Sequence, residues 1–207
     1  MITIAGKPCS GKSAISKELE HEYNFERFSM GDMFRSIAKE YNLDVIELNK
    51  KCTDPTLRAT LDFDVDKAID DKVKEIGNTR IRDYVVLESR TGFIFIPESH
   101  KVYTTIMEYE QAKRLLSSGR DTEKTNITVE QAIQNLNSRE KMENERFKEL
   151  YQADSLDLSQ YDYVLDTTTL TIAQGGEKVY NSYLDYRARK YGKEKENSAQ
   201  NIANFIK

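Results

Sequence analysis

The 207-residue sequence predicts an α/β fold, with a central five-stranded parallel sheet flanked by helices. Three observations carry this. Runs at 2–5, 25–29, 84–88, 102–107 and 161–166 have strand length and are rich in Val, Ile, Tyr or Phe. Helical patterns separate most of them, at 12–22, 31–41, 44–51, 63–77, 109–118, 128–151 and 172–190. Finally, Tyr84-Val85-Val86-Leu87 is apolar at successive positions, which fits a strand covered on both faces by helices.

The elements follow in order. Ile2-Thr3-Ile4-Ala5 suits a short buried strand, and Ala14, Ile15 and Leu19 then fall at helical spacing. After the second strand, Gly31 permits a tight turn and Asp32 can cap the next helix. Thr128 and Gln131 form a capping box that opens the long helix at 128–151. The three prolines, at 8, 55 and 97, fall in expected loops. No repeat or low-complexity linker interrupts the pattern, so residues 1–207 read as one domain.

Composition narrows the function. With 38% hydrophobic and 32% charged residues the chain is polar but globular. No apolar run is long enough for a bilayer, and Met1 leads straight into the first strand, so a cytoplasmic location is expected. Cys9 and Cys52 make no disulfide framework and have no metal-ligand neighbour. A net charge of -4 argues against nucleic acid as a partner. The basic run Arg187-Ala188-Arg189-Lys190 reads as a solvated helix end. A monomer acting on small molecules is expected, with no membrane partner.

Residues 6–13 complete a G-x-x-x-x-G-K-[ST] phosphate loop: Gly6, Lys7, Pro8, Cys9, Ser10, Gly11, Lys12 and Ser13. Its strand–turn–helix context gives the pattern a mechanism and points to the P-loop NTPase fold. Backbone N–H groups and the helix N-terminus, from Gly6 to Ala14, would cradle nucleotide phosphates. Lys12 would reach the β- and γ-phosphates, and the Ser13 hydroxyl would ligate Mg²⁺. ATP and Mg²⁺ are therefore the expected cofactors. Cys9 carries two readings. The helix N-terminus and Lys12 favour its thiolate, which predicts alkylation that ATP slows while Cys52 reacts without much loss of activity. Alternatively, its sulfur turns into the fold and is inert.

Ligands on such sheets sit beyond the C-terminal strand ends. There lie Ser29-Met30-Gly31-Asp32-Met33-Phe34-Arg35 and Glu88-Ser89-Arg90-Thr91-Gly92. Arg35 and Arg90, close to a phosphate loop, suit a bidentate phosphate clamp. Glu88 either holds a metal-bound water or forms a structural salt bridge with Arg90. Arg139 and Arg146 are seven apart in a helical pattern and share a face, either solvated or turned toward a migrating phosphoryl group. His21 and His100 read as solvated surface residues.

The ordered set G-x-x-x-S-G-K-S, S-x-G-D-x-F-R, V-V-L-E-x-R and R-E-x-x-E-x-x-R-[FY]-K resembles the cytidylate kinases, particularly their compact archaeal-type branch. The stretch Tyr163-Val164-Leu165-Asp166-Thr167-Thr168-Thr169-Leu170-Thr171-Ile172 is similar to that family's final strand and helix entry. The resemblance implies transfer of the ATP γ-phosphoryl group to CMP or dCMP. It puts Ser29, Asp32, Arg35 and Asp66 in the acceptor pocket and Arg90 on the acceptor phosphate. It makes Arg139 and Arg146 lid arginines over the donor phosphates and places Arg120 near the adenine. It divides the domain into a core (1–35, 83–119 and 160–190), an acceptor-binding segment (about 36–82) and a lid (about 120–152). The chain departs from the family at Cys9 and Ser89, where glycine is usual, at Asp71-Lys72, and in a longer 54–64 stretch. Ser89 and the altered acidic helix motivate a second reading, a nucleoside or other small-molecule kinase in which a carboxylate such as Asp32 deprotonates a hydroxyl acceptor. A nucleotide-dependent switch protein fits poorly, because the sequence has no N-K-x-D-like motif.

Overall fold

Both faces of the third strand run are buried, as its unbroken apolar character requires. In the computed structural model, which describes residues 1–61, 64–81, 83–117 and 127–192, that run becomes β3 (Val85–Glu88), with all four residues buried. It lies between β2 (Glu26–Ser29) and β1 (Ile2–Gly6), followed by β4 (His100–Thr105) and β5 (Tyr163–Asp166). The sheet order is β2-β3-β1-β4-β5 and every pairing is parallel. The expected five-stranded sheet is thus present.

Two clusters divide the apolar side chains between the faces. Ile2, Ile4, Val86, Val102 and Leu165 pack with Ile15 and Leu19 of α1 (Lys12–Tyr23) and with Val179 and Tyr183 of α9 (Ile172–Tyr191). On the other face, Val85 and Leu87 pack with Met30 of α2 (Met30–Glu40) and with Val73 and Ile76 of α5 (Val65–Arg80). A third cluster, Ile37, Ala38, Leu48, Cys52 and Val65, joins α2 and α5 to α3 (Val45–Thr53). Beyond the sheet, α7 (Glu108–Ser117) and α8 (Val129–Tyr151) pack through Ala112, Leu115, Ala132 and Leu136. The capping box at Thr128 and Gln131 forms as expected.

Two short helices were not legible in the sequence. α4 (Pro55–Arg58) occupies the long 54–64 stretch, where Arg58 donates to both oxygens of Asp64, at 2.9 and 2.8 Å, and Asp64 caps α5. α6 (Gly92–Phe95) follows β3. A 3-10 turn at Leu158–Gln160 precedes β5.

One surface expectation is corrected. β4 begins at His100, two residues before the expected start, and α9 covers it, so His100 is fully buried. Its Nε2 lies 2.9 Å from Ser182 Oγ and its ring stacks near Tyr186. Burial pulls its pKa down to about 4. The basic run at the end of α9 is solvated as expected at Ala188, Arg189 and Lys190, while the half-buried Arg187 guanidinium lies 4.8 Å from the Tyr84 ring centre and Lys190 donates to the Glu98 carbonyl at 2.7 Å. Among the described residues no helix is long and apolar enough to cross a membrane.

Candidate active site

The phosphate loop is shaped by its neighbour β4. Gly6 pairs with Thr104 at φ +141°, and a Cβ there would lie 2.3 Å from the Thr104 carbonyl oxygen, so only glycine fits. The loop is then pinned: Lys7 N–H donates to Thr104 O at 3.1 Å, and the buried Ser10 hydroxyl donates to Lys7 O at 2.7 Å. Gly11, left-handed at φ 88°, precedes α1 as an N-cap without a side chain, so the first-turn N–H groups stay available to an anion. Lys12 donates to the carbonyls of Gly6 and Lys7 at 2.8 and 2.6 Å. Burial, then the charge of Arg90, lowers its pKa to about 7. A phosphate bound here would relieve that repulsion.

Cys9 adopts φ 56°, a left-handed conformation that costs a non-glycine residue about 1 kcal/mol or more. Its side chain packs against the α7–α8 cluster while still lining the cavity. The expectation for Cys52 is overturned. It is 4% exposed, and burial, followed by the Asp66 charge, raises its thiol to about 11.

Beside Lys12, Ser13 Oγ donates to Glu88 Oε2 at 2.7 Å, which leaves its lone pairs free for a cation. Among the described residues no cluster of three or more His, Cys, Asp or Glu side chains could cage a metal. A serine hydroxyl and a carboxylate fit Mg²⁺, which takes few protein oxygens and keeps waters and substrate phosphates as its other ligands. The partner of Glu88 is Arg27, not Arg90: Arg27 Nε donates to Oε1 at 2.7 Å. Arg27 also pairs with Asp32 at 3.1 Å, and Asp32 in turn pairs with Arg35. Asp32 is half exposed and does not line the cavity. The cap of α2 is Ser29, whose Oγ accepts from Asp32 N–H at 3.2 Å.

Across the cavity, Glu143 of α8 pairs with Arg90 and accepts from Arg139 Nε at 3.2 Å. Burial, followed by the charges of Arg139 and Arg146, lowers the Arg90 guanidinium to about 9. Arg139 therefore stands with Lys12 and Arg90. Arg146 also acts on Arg90 through its charge, while its own contacts are with Asp66, 3.6 Å from its Nη2, and Asn49, 3.5 Å from its Nη1. Seven residues of helix share a face but span about 10 Å, so the two arginines meet different parts of one cavity. Near Arg146, Tyr151 donates to Asp70 at 2.6 Å, and burial raises the Asp70 pKa.

These groups line one cavity of about 390 Å³, within the range of small-molecule sites. It gathers Pro8, Cys9, Gly11, Lys12, Ser13, Ala14, Ser29, Arg35, Asp66, Arg90, Arg139 and Arg146 from the expected set. Arg120 lies outside the described residues, with the start of the expected lid. Sequence reasoning missed Arg27, Asn49, Arg114, Glu143 and Tyr151. Glu143 stood inside the quoted R-E-x-x-E pattern, and Arg27 was an unexplained charge in a strand. Arg114 donates to the Thr167 carbonyl at 2.8 Å and lines the cavity beside Gly11.

The model of the cytidylate kinase-like family matches residues 1–169. The chain belongs to the cytidylate kinase-like family. It is 31% identical over 172 residues to a cytidylate kinase of Saccharolobus islandicus, which covers 83% of this chain and 84% of the relative. It is 34% identical over 171 residues to that of Sulfolobus acidocaldarius, covering 82% and 86%. A cytidylate kinase of Sulfurisphaera tokodaii matches at 30% over 190 residues, covering 92% and 98%. The fold is also that of a shikimate kinase from Aquifex aeolicus (TM-score 0.53, 16% identity, 92% and 98% covered) and a gluconokinase from Sinorhizobium meliloti (0.56, 11%, 93% and 96%). This member of the cytidylate kinase-like family is an ATP-dependent kinase, and its relatives support action on a nucleoside monophosphate.

Proposed function

We propose that the chain transfers the γ-phosphoryl group of ATP to CMP or dCMP, giving ADP and CDP or dCDP. The observation that carries this reading is the enclosed trio Lys12, Arg90 and Arg139 facing Ser13 and Glu88. Burial, then neighbouring positive charge, lowers the pKa values of Lys12 and Arg90, and cations at this density call for more than one phosphate group between them. Lys12 and the first turn of α1 hold the donor end, Arg90 holds the acceptor phosphate, and Arg139 meets charge on the migrating group. Ser13 and Glu88 would hold Mg²⁺, directly or through water, to neutralise donor phosphate charge and align the oxygens. An acceptor phosphate is already anionic at neutral pH, so no general base is required. By covering the cavity, α8 keeps out the water that would otherwise take the phosphoryl group.

A hydroxyl acceptor would need a base, and Asp32 suits that role poorly. Partial burial raises its pKa, but the hydrogen bonds and charges of Arg35 and Arg27 outweigh this and hold it below the ordinary carboxylate range. The test compares CMP with cytidine, and wild type with Arg90→Ala. CMP should exceed cytidine in kcat/KM by a hundredfold or more, and Arg90→Ala should raise the CMP KM at least tenfold with little change in the ATP KM. Cytidine turnover equal to that of CMP would overturn the phosphate-acceptor assignment.

A further inference from the structure

Two residues outside the cavity join residues that line it. Ser13, Glu88 and Arg35 line the cavity, whereas Arg27 and Asp32 do not. Their hydrogen bonds nevertheless form one unbroken series. Glu88 Oε2 accepts from the Ser13 hydroxyl at 2.7 Å, and Glu88 Oε1 accepts from Arg27 Nε, also at 2.7 Å. Arg27 Nη2 lies 2.5 Å from the same Oε1 and 3.1 Å from Asp32 Oδ2. The other Asp32 oxygen, Oδ1, accepts from Arg35. Each carboxylate thus gives one oxygen to a cavity residue and the other to Arg27. Both claim Arg27 Nη2, and Glu88 holds it more closely. The guanidinium reaches both because β2 and β3 pair with Arg27 opposite Val86, two residues before Glu88, while Asp32 lies in the first turn of α2, directly after β2. The Glu88 end is buried and its contacts are strong, whereas Asp32 and Arg35 are about half exposed, so their pairing exchanges readily.

We propose that Arg27 is a positioning residue that couples the cation side of the cavity, Ser13 and Glu88, to the acceptor-phosphate side at Arg35, with Asp32 as the link. An acceptor phosphate on Arg35 competes with Asp32 for that guanidinium. Asp32, half released, draws Arg27 Nη2 toward itself, and the Glu88 carboxylate keeps more negative charge to offer a cation beside Ser13. In the other direction, a cation at Glu88 repels Arg27 toward Asp32 and loosens the hold of Asp32 on Arg35. The two events favour each other, as linkage requires. Donor and acceptor therefore bind together more tightly than their separate affinities imply. The inference rests on the phosphate-acceptor reading above and on Mg²⁺ held at Ser13 and Glu88.

The test measures equilibrium binding of CMP to the full chain by calorimetry, with a non-hydrolysable ATP analogue and EDTA, with the same analogue and Mg²⁺, and with no analogue. Wild type should bind CMP at least fivefold more tightly with the magnesium complex than with the metal-free analogue, within the range of about 5- to 150-fold usual for coupled sites. Asp32→Asn removes the shared charge at an exposed position. Arg27→Lys keeps a charge beside Glu88 but gives up the planar fork that reaches two carboxylates. Both should cut the ratio at least threefold, and Asp32→Asn, which no longer competes for Arg35, should bind CMP alone at least as tightly as wild type. A purely structural role would weaken CMP binding in every condition and leave the ratio where it was. The proposal is overturned, with phosphoryl transfer to CMP left standing, by a wild-type ratio under fivefold or by weaker binding of CMP alone in Asp32→Asn. A smaller cut than threefold in either variant, shown to be folded by its unfolding temperature, overturns it equally. Failure of wild type to bind CMP under any condition would sink the acceptor reading and this proposal with it.

Discussion

Arg27 shows how much of the site depends on one residue outside the motifs. Its guanidinium holds Glu88 on one side and Asp32 on the other, and Glu88 in turn accepts a hydrogen bond from the Ser13 hydroxyl. Arg27 and Glu88 are 13% and 7% exposed, so removing one partner leaves a buried charge unpaired. Arg27→Met should destabilise the fold by about 3 kcal/mol or more, while Arg27→Met combined with Glu88→Leu should recover a large part of the loss. Denaturant unfolding of the four members of that cycle checks this; strictly additive effects would mean the pair is not coupled. Arg139→Ala should lower kcat, since Arg139 stands with Lys12 and Arg90. The phosphate-loop motif was legible because strand, glycine turn and helix N-terminus must be consecutive in sequence. Arg27 was not, because its partner lies on a strand 61 residues away, and which strands are neighbours is decided only when the sheet assembles.

At the scale of elements, helices were legible wherever apolar spacing and a cap coincided, as at Thr128 and Gln131. α4 and α6, four residues each, are too short to show a period. His100 was misread because a strand edge two residues earlier than expected moves it beneath α9, among Tyr183, Tyr186, Ser182, Asp162 and Arg189. A native pKa of about 4 against 6.5 for the ordinary side chain means that the unfolded chain takes up this proton first as pH falls. His100 thus favours the native state fully above about pH 6.5, and about 3 kcal/mol of that is lost by pH 4. Unfolding free energies across this window should fall less steeply in His100→Gln, by close to one proton in the linkage slope. Identical slopes would show that His100 does not titrate on unfolding.

At the scale of the whole molecule, α8 reaches across the cavity from two contacts, Arg146 with Asp66 and Tyr151 with Asp70, so α5 and the covering helix are tied together. Nucleotides spanning the cavity should tighten both. Amide exchange should slow across α5 and α8 when a bisubstrate analogue binds, and protection confined to residues 6–16 would speak for a rigid site. The division into core, acceptor segment and lid came from resemblance, because periodicity alone does not say which helices move. The central claim, phosphoryl transfer to a cytidine monophosphate, is tested most directly by ADP release with ATP and Mg²⁺ across CMP, dCMP, UMP, AMP, GMP and the free nucleosides. CMP or dCMP should give the highest kcat/KM, and a tenfold advantage for any other acceptor, about 1.4 kcal/mol of transition-state discrimination, would contradict the account.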